Sequence, residues 1–423
     1  MKSVGIAILG FGTVGGGTYN ILAERKERIK EEYGVDITVK AIYVRNPKKA
    51  ITNGAPQELV TSNFDDIITD SSIDIVAECI GGIEPAKTLL IESLKAGKNI
   101  VTANKELFAK HWGELEKYAS KTKAGMYFEA TCGGGIPVIR TLTQAMQANT
   151  ILQIKGIING TTNYILSRMS DEGASYENVL ADAQALGFAE ADPTADVEGY
   201  DASYKLAILS SLAFNKFLPA ELIYREGISK VQAEDIAIGK QLGFTIKLLA
   251  IAKLIDGKIE ARVHPVFLKN SHPLASVSGS FNGIFIVGDN VGDIMLYGRG
   301  AGSLPTGSAV VSDIVFCARQ IEHARYAEIS DVITKQDIIS DFTSDYYMRM
   351  TVLDLSGVLS QITSIFADNN ISITSMRQDA GEGVVSIVLV THKSSENNIR
   401  KAIKEIESLS EVQKINAVIR VEK

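Results

Sequence analysis

Asp201 and Lys205 stand four residues apart, acid before base, in the stretch GFAEADPTADVEGYDASYKLAIL that runs from Gly187 to Leu209. On a helix this spacing puts both side chains on one face. Ala202, Leu206, Leu209 and Ala213 supply an apolar stripe for the same helix. Ahead of it lie Glu190, Asp192, Asp196 and Glu198, with Asp192-Pro193 and Glu198-Gly199 as turn signals. A calcium loop would need a regular alternation of oxygen ligands, which DPTADVEGYD lacks. A solvated acidic loop would need no lysine on the face of its last acid. A substrate bearing an amine and a carbonyl needs a carboxylate for its ammonium and a proton donor for its oxygen, and Glu190 and Lys205 have the right chemistry. A second lysine, Lys105, follows the strand-like NIVTA in VTANKE. A cation is disfavoured at a helix N-terminus, so an anion is expected nearby.

The elements that position these groups begin with VGIAIL, GFGTVG and a helix through Lys30, followed by the strand ITVKAIYV. Gly10, Gly12 and Gly15 form GxGxxG directly after a strand and at the start of a helix, where a pyrophosphate can approach the backbone. The alternation continues through DIVAECIGG, PAKTLLIESLKAG, NIVTAN and MYFEAT, which predicts a doubly wound parallel sheet of Rossmann type. The second strand ends in Val44-Arg45-Asn46-Pro47-Lys48-Lys49, with no acid to accept from a ribose hydroxyl. Arg45 can fork onto a 2′-phosphate, so NADP(H) is expected in preference to NAD(H). Gly133, Gly134, Gly135 and Pro137 make a stiff turn whose carbonyls suit a hard monovalent cation. From the residues alone, a plain hinge is the better reading. Further on, ILQIKGI and then TTNYILSRM, joined through Asn159, Gly160 and Thr161, form another strand-to-helix junction.

Composition narrows the function classes. A net charge of −7 argues against a nucleic-acid binder, and no apolar run reaches the roughly 18 residues that span a bilayer. Cys79, Cys132 and Cys317 are isolated and suggest neither zinc site nor disulfide framework. MKSVGIAILG reads as a first strand and not a signal peptide, and a cytoplasmic location is expected.

In their order along the chain, GFGTVG, TANKE, EATCGGGIP, INGTTNYIL, the acidic stretch with its lysine, and GRGAGSLPTGSAVVSDI resemble homoserine dehydrogenase over the first 330 residues. The acidic stretch is the specific part, since GxGxxG is common to many folds. The resemblance implies interconversion of L-aspartate 4-semialdehyde and L-homoserine with NAD(P)H, on the route to threonine, methionine and isoleucine. It implies Lys105 and Lys205 as catalytic lysines, Lys205 donating a proton to the developing alkoxide, and Glu190 binding the substrate ammonium. Asp196 and Asp201 would orient the site, and Gly160 and Thr161 would line it. Phe11, Thr13, Val14, Arg45, Lys105 and Gly302 correspond to coenzyme contacts beside the glycines. The turn EATCGGGIP resembles a sodium site built mainly from carbonyls, at Glu129, Cys132, Gly134 and Ile136. Cys132 stands where Val is more usual and Phe188 where Tyr is common. No fused aspartate kinase module is expected. Whether Lys205 gives up its own proton or acts through a water is left open.

Beyond a polar connector at 331–345, the pattern reads β-α-β-β-α-β, with Ile399, Ile403 and Ile406 spaced for one helix face. The turn Asp354-Leu355-Ser356-Gly357 before a helix, with Asn369-Asn370 after it, resembles an ACT domain, which implies an amino-acid effector, L-threonine, and pairing of copies. The other reading is a ferredoxin-like structural module. The expected parcelling is a nucleotide-binding domain over 1–137 completed by a helix near 305–330, an α+β catalytic and dimerisation domain over 138–304, the linker, and a regulatory domain over 346–423. A homo-oligomer, dimer or tetramer, is expected. Two other functions fit less well: another Rossmann aldehyde or imine reductase, and a non-catalytic amino-acid sensor.

Overall fold

The computed structural model describes residues 2–321, 329, 331–378 and 383–422. It resolves into two compact units, one of 1–154, 201–223 and 281–335, the other of 155–200, 224–280 and 336–423.

In the first unit six parallel strands lie in the order Val60–Thr61, Val35–Tyr43, Lys2–Leu9, Ile75–Glu78, Asn99–Thr102, Met126–Tyr127. Strand order reverses beside Lys2–Leu9, the point at which open α/β sheets bind ligands. Along that strand Val4, Ile6 and Ile8 enter one core while Ala7 and Leu9 enter another. Side chains alternate across a strand, and a parallel sheet is buried on both faces, so the run is apolar throughout. The first core is closed by Leu22 and Ile29 of the helix Thr13–Tyr33 and by Val310 and Ile314 of the helix Ser303–Gln320. The helix expected near 305–330 is seen as far as Gln320, and its remainder falls almost wholly outside the described residues. Phe108, Trp112 and Phe128 pack ring to ring at 4.1–4.9 Å between centroids, which fixes the helix Lys105–Thr122 on the sheet. The hairpin Phe281–Gly288 and Gly292–Arg299 also belongs to this unit.

In the second unit the antiparallel strands Phe244–Ile255 and Lys258–Lys269 are followed by Val412–Glu422, Thr343–Leu353, Val384–Thr391 and Ile373–Gln378. The last four of these strands and the helices Val358–Asp368 and Glu396–Glu407 form the predicted β-α-β-β-α-β, with a two-residue strand, Ser394–Ser395, added before the second helix. Ile362, Phe366, Ile399 and Ile406 seal its core against Met348, Met350 and Leu389. Thr343–Asp345 already belong to the first strand of this motif, so the polar connector is shorter than its composition suggests. No helix among the described residues is long and apolar enough to cross a membrane.

Candidate active site

At the carboxyl edge of the parallel sheet a cleft of about 1070 Å³ is lined by Gly10, Phe11, Gly12, Thr13, Arg45 and Ser303, among others. That is at the upper end of small-molecule sites. Gly10 has φ +92°, and a Cβ on Gly15 would collide with its carbonyl oxygen, so the turn accepts only glycine at both positions. Val14, Gly15, Lys105 and Gly302 do not line the cleft; Gly15 packs against the Gly10 carbonyl, and Gly302 stands before the helix Ser303–Gln320, which the Ser303 hydroxyl ties to the Thr13 carbonyl at 2.8 Å. Asn46, Lys49 and Asn53 join Arg45 in the wall. Asn46 caps the short helix Pro47–Thr52 by accepting from the Lys49 backbone at 3.1 Å. The Asn-Pro pair after a strand is the sequence signal for that cap.

The loops at this edge are braced by a buried carboxylate that sequence reasoning missed. Glu78 accepts from the backbone of Ile80 and Gly81 and, at 2.6 Å, from the Thr102 hydroxyl. Asn104 caps the helix Lys105–Thr122 through Leu107 and donates to the Gly82 carbonyl at 2.6 Å. Lys105 is thereby delivered at the first position of its helix. The anion expected near it is Asp201, whose two carboxylate oxygens accept from Lys105 Nζ at 2.8 Å and from Lys205 Nζ at 2.7 Å. Asp201 and Lys205 share the helix Tyr200–Phe214 at the predicted spacing, with side chains 6% and 10% exposed, whereas Lys105 is 41% exposed. Burial alone would push the Asp201 carboxyl up, but the Lys205 and Lys105 ammoniums outweigh it and hold it well below the usual carboxylate range. One carboxylate thus faces two ammoniums, an arrangement that leaves positive charge for an oxyanion.

In the second unit Asn159 caps the helix Gly160–Glu172, accepting from Thr162 at 2.8 Å, and its amide donates to Asp196 at 2.7 Å. Thr161 donates to the Phe188 carbonyl at 2.8 Å, and the Phe188 ring stacks on Tyr164 at 4.6 Å. Gly160, Thr161 and Asp196 are therefore gathered at one helix N-terminus. Asp192 closes its own turn onto the Thr194 backbone, and Glu190 lies exposed beside it.

The turn from Glu129 to Ile136 offers hard oxygen donors. Glu129 accepts from the Ile139 and Arg140 backbone at 2.7 and 2.9 Å, and burial, with Asp313 beside it, pushes its carboxyl up to about 7. The Ile136 carbonyl accepts from Val138 at 2.8 Å. Burial pushes the Cys132 thiol up to about 12, so the sulfur stays protonated and only its carbonyl suits a cation. The Asn282 side chain is fully buried with neither polar atom bonded; it lies against Gly300, whose backbone abuts Gly134. A missing polar group beside this turn fits that orphaned amide. No group of three or more His, Cys, Asp or Glu that would hold a metal occurs among the described residues, so a cation here would rest mainly on carbonyls.

Residues 10–129 match the family "Homoserine dehydrogenase, NAD binding domain", 137–315 match "Homoserine dehydrogenase", and 346–411 match the ACT domain. A homoserine dehydrogenase of Mycobacterium tuberculosis is 41% identical, covering 100% of this chain and 98% of its own. The crystal structure of a homoserine dehydrogenase from Thiobacillus denitrificans superposes with a TM-score of 0.94 at 42% identity, over 100% of this chain and 99% of the other. A hyperthermophilic archaeal homoserine dehydrogenase in complex with NADPH matches with a TM-score of 0.65 at 28% identity, over 76% of this chain and 100% of its own. The chain therefore belongs to the homoserine dehydrogenases, oxidoreductases acting on a CH–OH group, and carries a C-terminal ACT domain.

Proposed function

We propose that this enzyme interconverts L-aspartate 4-semialdehyde and L-homoserine with a preference for NADP(H), and that L-threonine restrains it through the C-terminal domain. The observation that carries the chemistry is Asp201 held between Lys105 and Lys205. The nicotinamide coenzyme supplies or takes the hydride. As the aldehyde oxygen gains negative charge, the Lys205 ammonium stabilises it more strongly than the neutral carbonyl and gives it a proton, directly or through a water. Asp201 orients that ammonium and the Lys105 ammonium beside it. Glu190 takes the substrate ammonium, with Asp196, Gly160 and Thr161 shaping the pocket. Gly10, Phe11, Gly12, Thr13, Val14, Gly15, Arg45, Lys105 and Gly302 serve the coenzyme. The carbonyls of Cys132, Gly134 and Ile136, with Glu129, hold a sodium ion that stiffens their turn. The chain parcels into the coenzyme domain over 1–137 with its returning helix, the catalytic domain over 138–304, a linker that ends before Thr343 and the regulatory domain from there to 423. It works in the cytoplasm as a dimer or tetramer of identical chains; three cysteines free of disulfides agree with that compartment.

The coenzyme preference rests on Arg45 and Lys49 in the cleft wall, and the related archaeal enzyme solved with NADPH supports it. Arg45→Ala is expected to lower kcat/KM for NADPH by about tenfold or more, as loss of a charged hydrogen-bond pair implies. The value for NADH should stay within about threefold. An equal fall for both coenzymes rejects the preference.

Regulation is tested by titrating L-threonine into the full chain during homoserine oxidation. Gly357 closes the effector-type turn with φ +94°, which no larger side chain adopts without strain. Gly357→Val is expected to abolish a threonine response that the native chain shows, at unchanged basal rate. An equal response in both, or none in the native chain, rejects regulation by threonine at this turn.

A further inference from the structure

The acidic turn is held from one side by a short strap. Thr194–Val197 is a helix of four residues, too short to persist without outside contacts. One comes from Asn159, which donates to Asp196 at 2.7 Å, and the others come from Tyr224–Gly227 and its neighbour Ile228. The strand Tyr224–Arg225 pairs with Arg262–Val263, and the Glu226 backbone donates to the Val263 carbonyl at 2.8 Å. From this rail Arg225 donates to the Glu198 carbonyl at 3.1 Å and lays its guanidinium on the Tyr200 ring, 3.1 Å from the centroid. Just beyond the strap, Ile228 donates to the Val197 carbonyl at 2.8 Å. The fit leaves no slack: a Cβ on Gly227 would lie 2.6 Å from the Val197 carbonyl oxygen, and Gly199, at φ +78°, faces Val263 and the Arg225 stem. Both residues that bound the turn before the Asp201 helix, Glu198 and Tyr200, are thus gripped by one arginine.

The other side of the strap is fastened to the C-terminal domain. Arg420, on the final strand, donates to the Tyr224 hydroxyl at 2.8 Å and to the Glu226 carboxylate at 2.7 Å. The same guanidinium forks onto Glu396, at the start of the helix Glu396–Glu407, at 2.6 and 3.0 Å. Arg420 and Glu396 are 6% and 5% exposed, and Tyr346 adds a hydroxyl to Glu396 at 2.8 Å. Bidentate pairing in a dry setting fixes direction as well as distance.

We infer that Tyr224–Gly227 is a positioning strap: Arg225 sets the register of the turn that carries Asp196, and Arg420 anchors the strap to the ACT domain. Arg225 is a positioning residue and touches no reacting atom. The inference rests on the assignment of the acidic turn to the amino-acid substrate. The strap should therefore govern affinity for that substrate, and neither coenzyme affinity nor the chemical step.

The test is steady-state kinetics of the full chain, with L-homoserine and NADP⁺ varied separately and thermal unfolding recorded alongside. Arg225→Ala is expected to raise KM for L-homoserine about tenfold, with kcat within about threefold and KM for NADP⁺ unchanged. Arg225→Lys keeps the charge over the ring but loses the planar fork, and should fall between native and alanine values. Tyr224→Phe removes the hydroxyl between strap and Arg420 and should raise the same KM by a smaller factor. Tyr200→Ala combined with Arg225→Ala should be no worse than Arg225→Ala alone, because the contact between ring and guanidinium is already lost in the single variant. An unchanged KM for L-homoserine, or equal rises for both substrates, overturns the strap. Should Arg225→Ala fail to fold, Arg225→Lys and Tyr224→Phe decide by the same readout. Asp196→Asn separates the two assumptions: if it leaves KM for L-homoserine unchanged, the assignment of the turn to the substrate falls. If it raises that KM while Arg225→Ala does not, the strap alone falls.

Discussion

Lys205→Ala is expected to lower kcat by about 10²–10⁴-fold, the usual contribution of a positioned proton donor, with NADPH affinity nearly intact. The expectation follows from geometry. The Lys205 ammonium is nine-tenths buried and is held at 2.7 Å by a carboxylate on its own helix, so its direction is set before substrate arrives. A preorganised charge acts at the moment the oxyanion forms, without solvent having to turn. Lys105, more exposed and at the start of another helix, offers a second ammonium to the same carboxylate but sits further into solvent. Stopped-flow turnover of the semialdehyde with NADPH, beside fluorescence titration of NADPH, checks both halves. Near-native turnover in Lys205→Ala would remove the lysine from its role.

Asp201→Asn is the second large effect, and it acts on stability and rate together. The substitution keeps the shape and removes the negative charge that two ammoniums share. Stripping one partner from a buried ion pair costs about 3 kcal/mol, toward the lower end of the usual range because Lys105 is partly solvated. The rate should fall about 10²-fold as the Lys205 ammonium loses its orienting partner. The pH dependence has a definite sign. The folded Asp201 carboxyl titrates well below its unfolded counterpart, so its contribution is present above about pH 4 and is lost as pH falls further. The gap in thermal midpoint between native and Asp201→Asn chains should therefore be full at neutral pH and narrow below about pH 4. A gap that does not change with pH would mean that the carboxylate charge is not what stabilises the site.

Much of this was legible along the chain because it depends on local spacing. GxGxxG after a strand, the i, i+4 pair of Asp201 and Lys205, and Asn104 and Asn159 ahead of helices each follow from rules that act over a few residues. The ACT-like motif was readable for the same reason, as strand alternation and the Ile399, Ile403, Ile406 face repeat within single elements. Glu78 was not readable: one acid at a strand end looks the same whether it braces loops or faces water. Nor was Arg225, whose partners Glu198 and Tyr200 are brought to it only by the pairing of its strand with Arg262–Val263.

What the sequence alone determined, then, was the type and order of the elements and the chemical identity of the groups they carry, since propensity, capping and periodicity are short-range. The tertiary structure decided which charges meet and which are dry. Lys105 joins Asp201 only because the fold brings the starts of two helices together. Whether Asp201 is ionised depends on the balance between burial, which opposes the charge, and two ammoniums, which outweigh it. Both terms vary with packing distance and solvent exclusion, and neither is written in the spacing of residues along the chain.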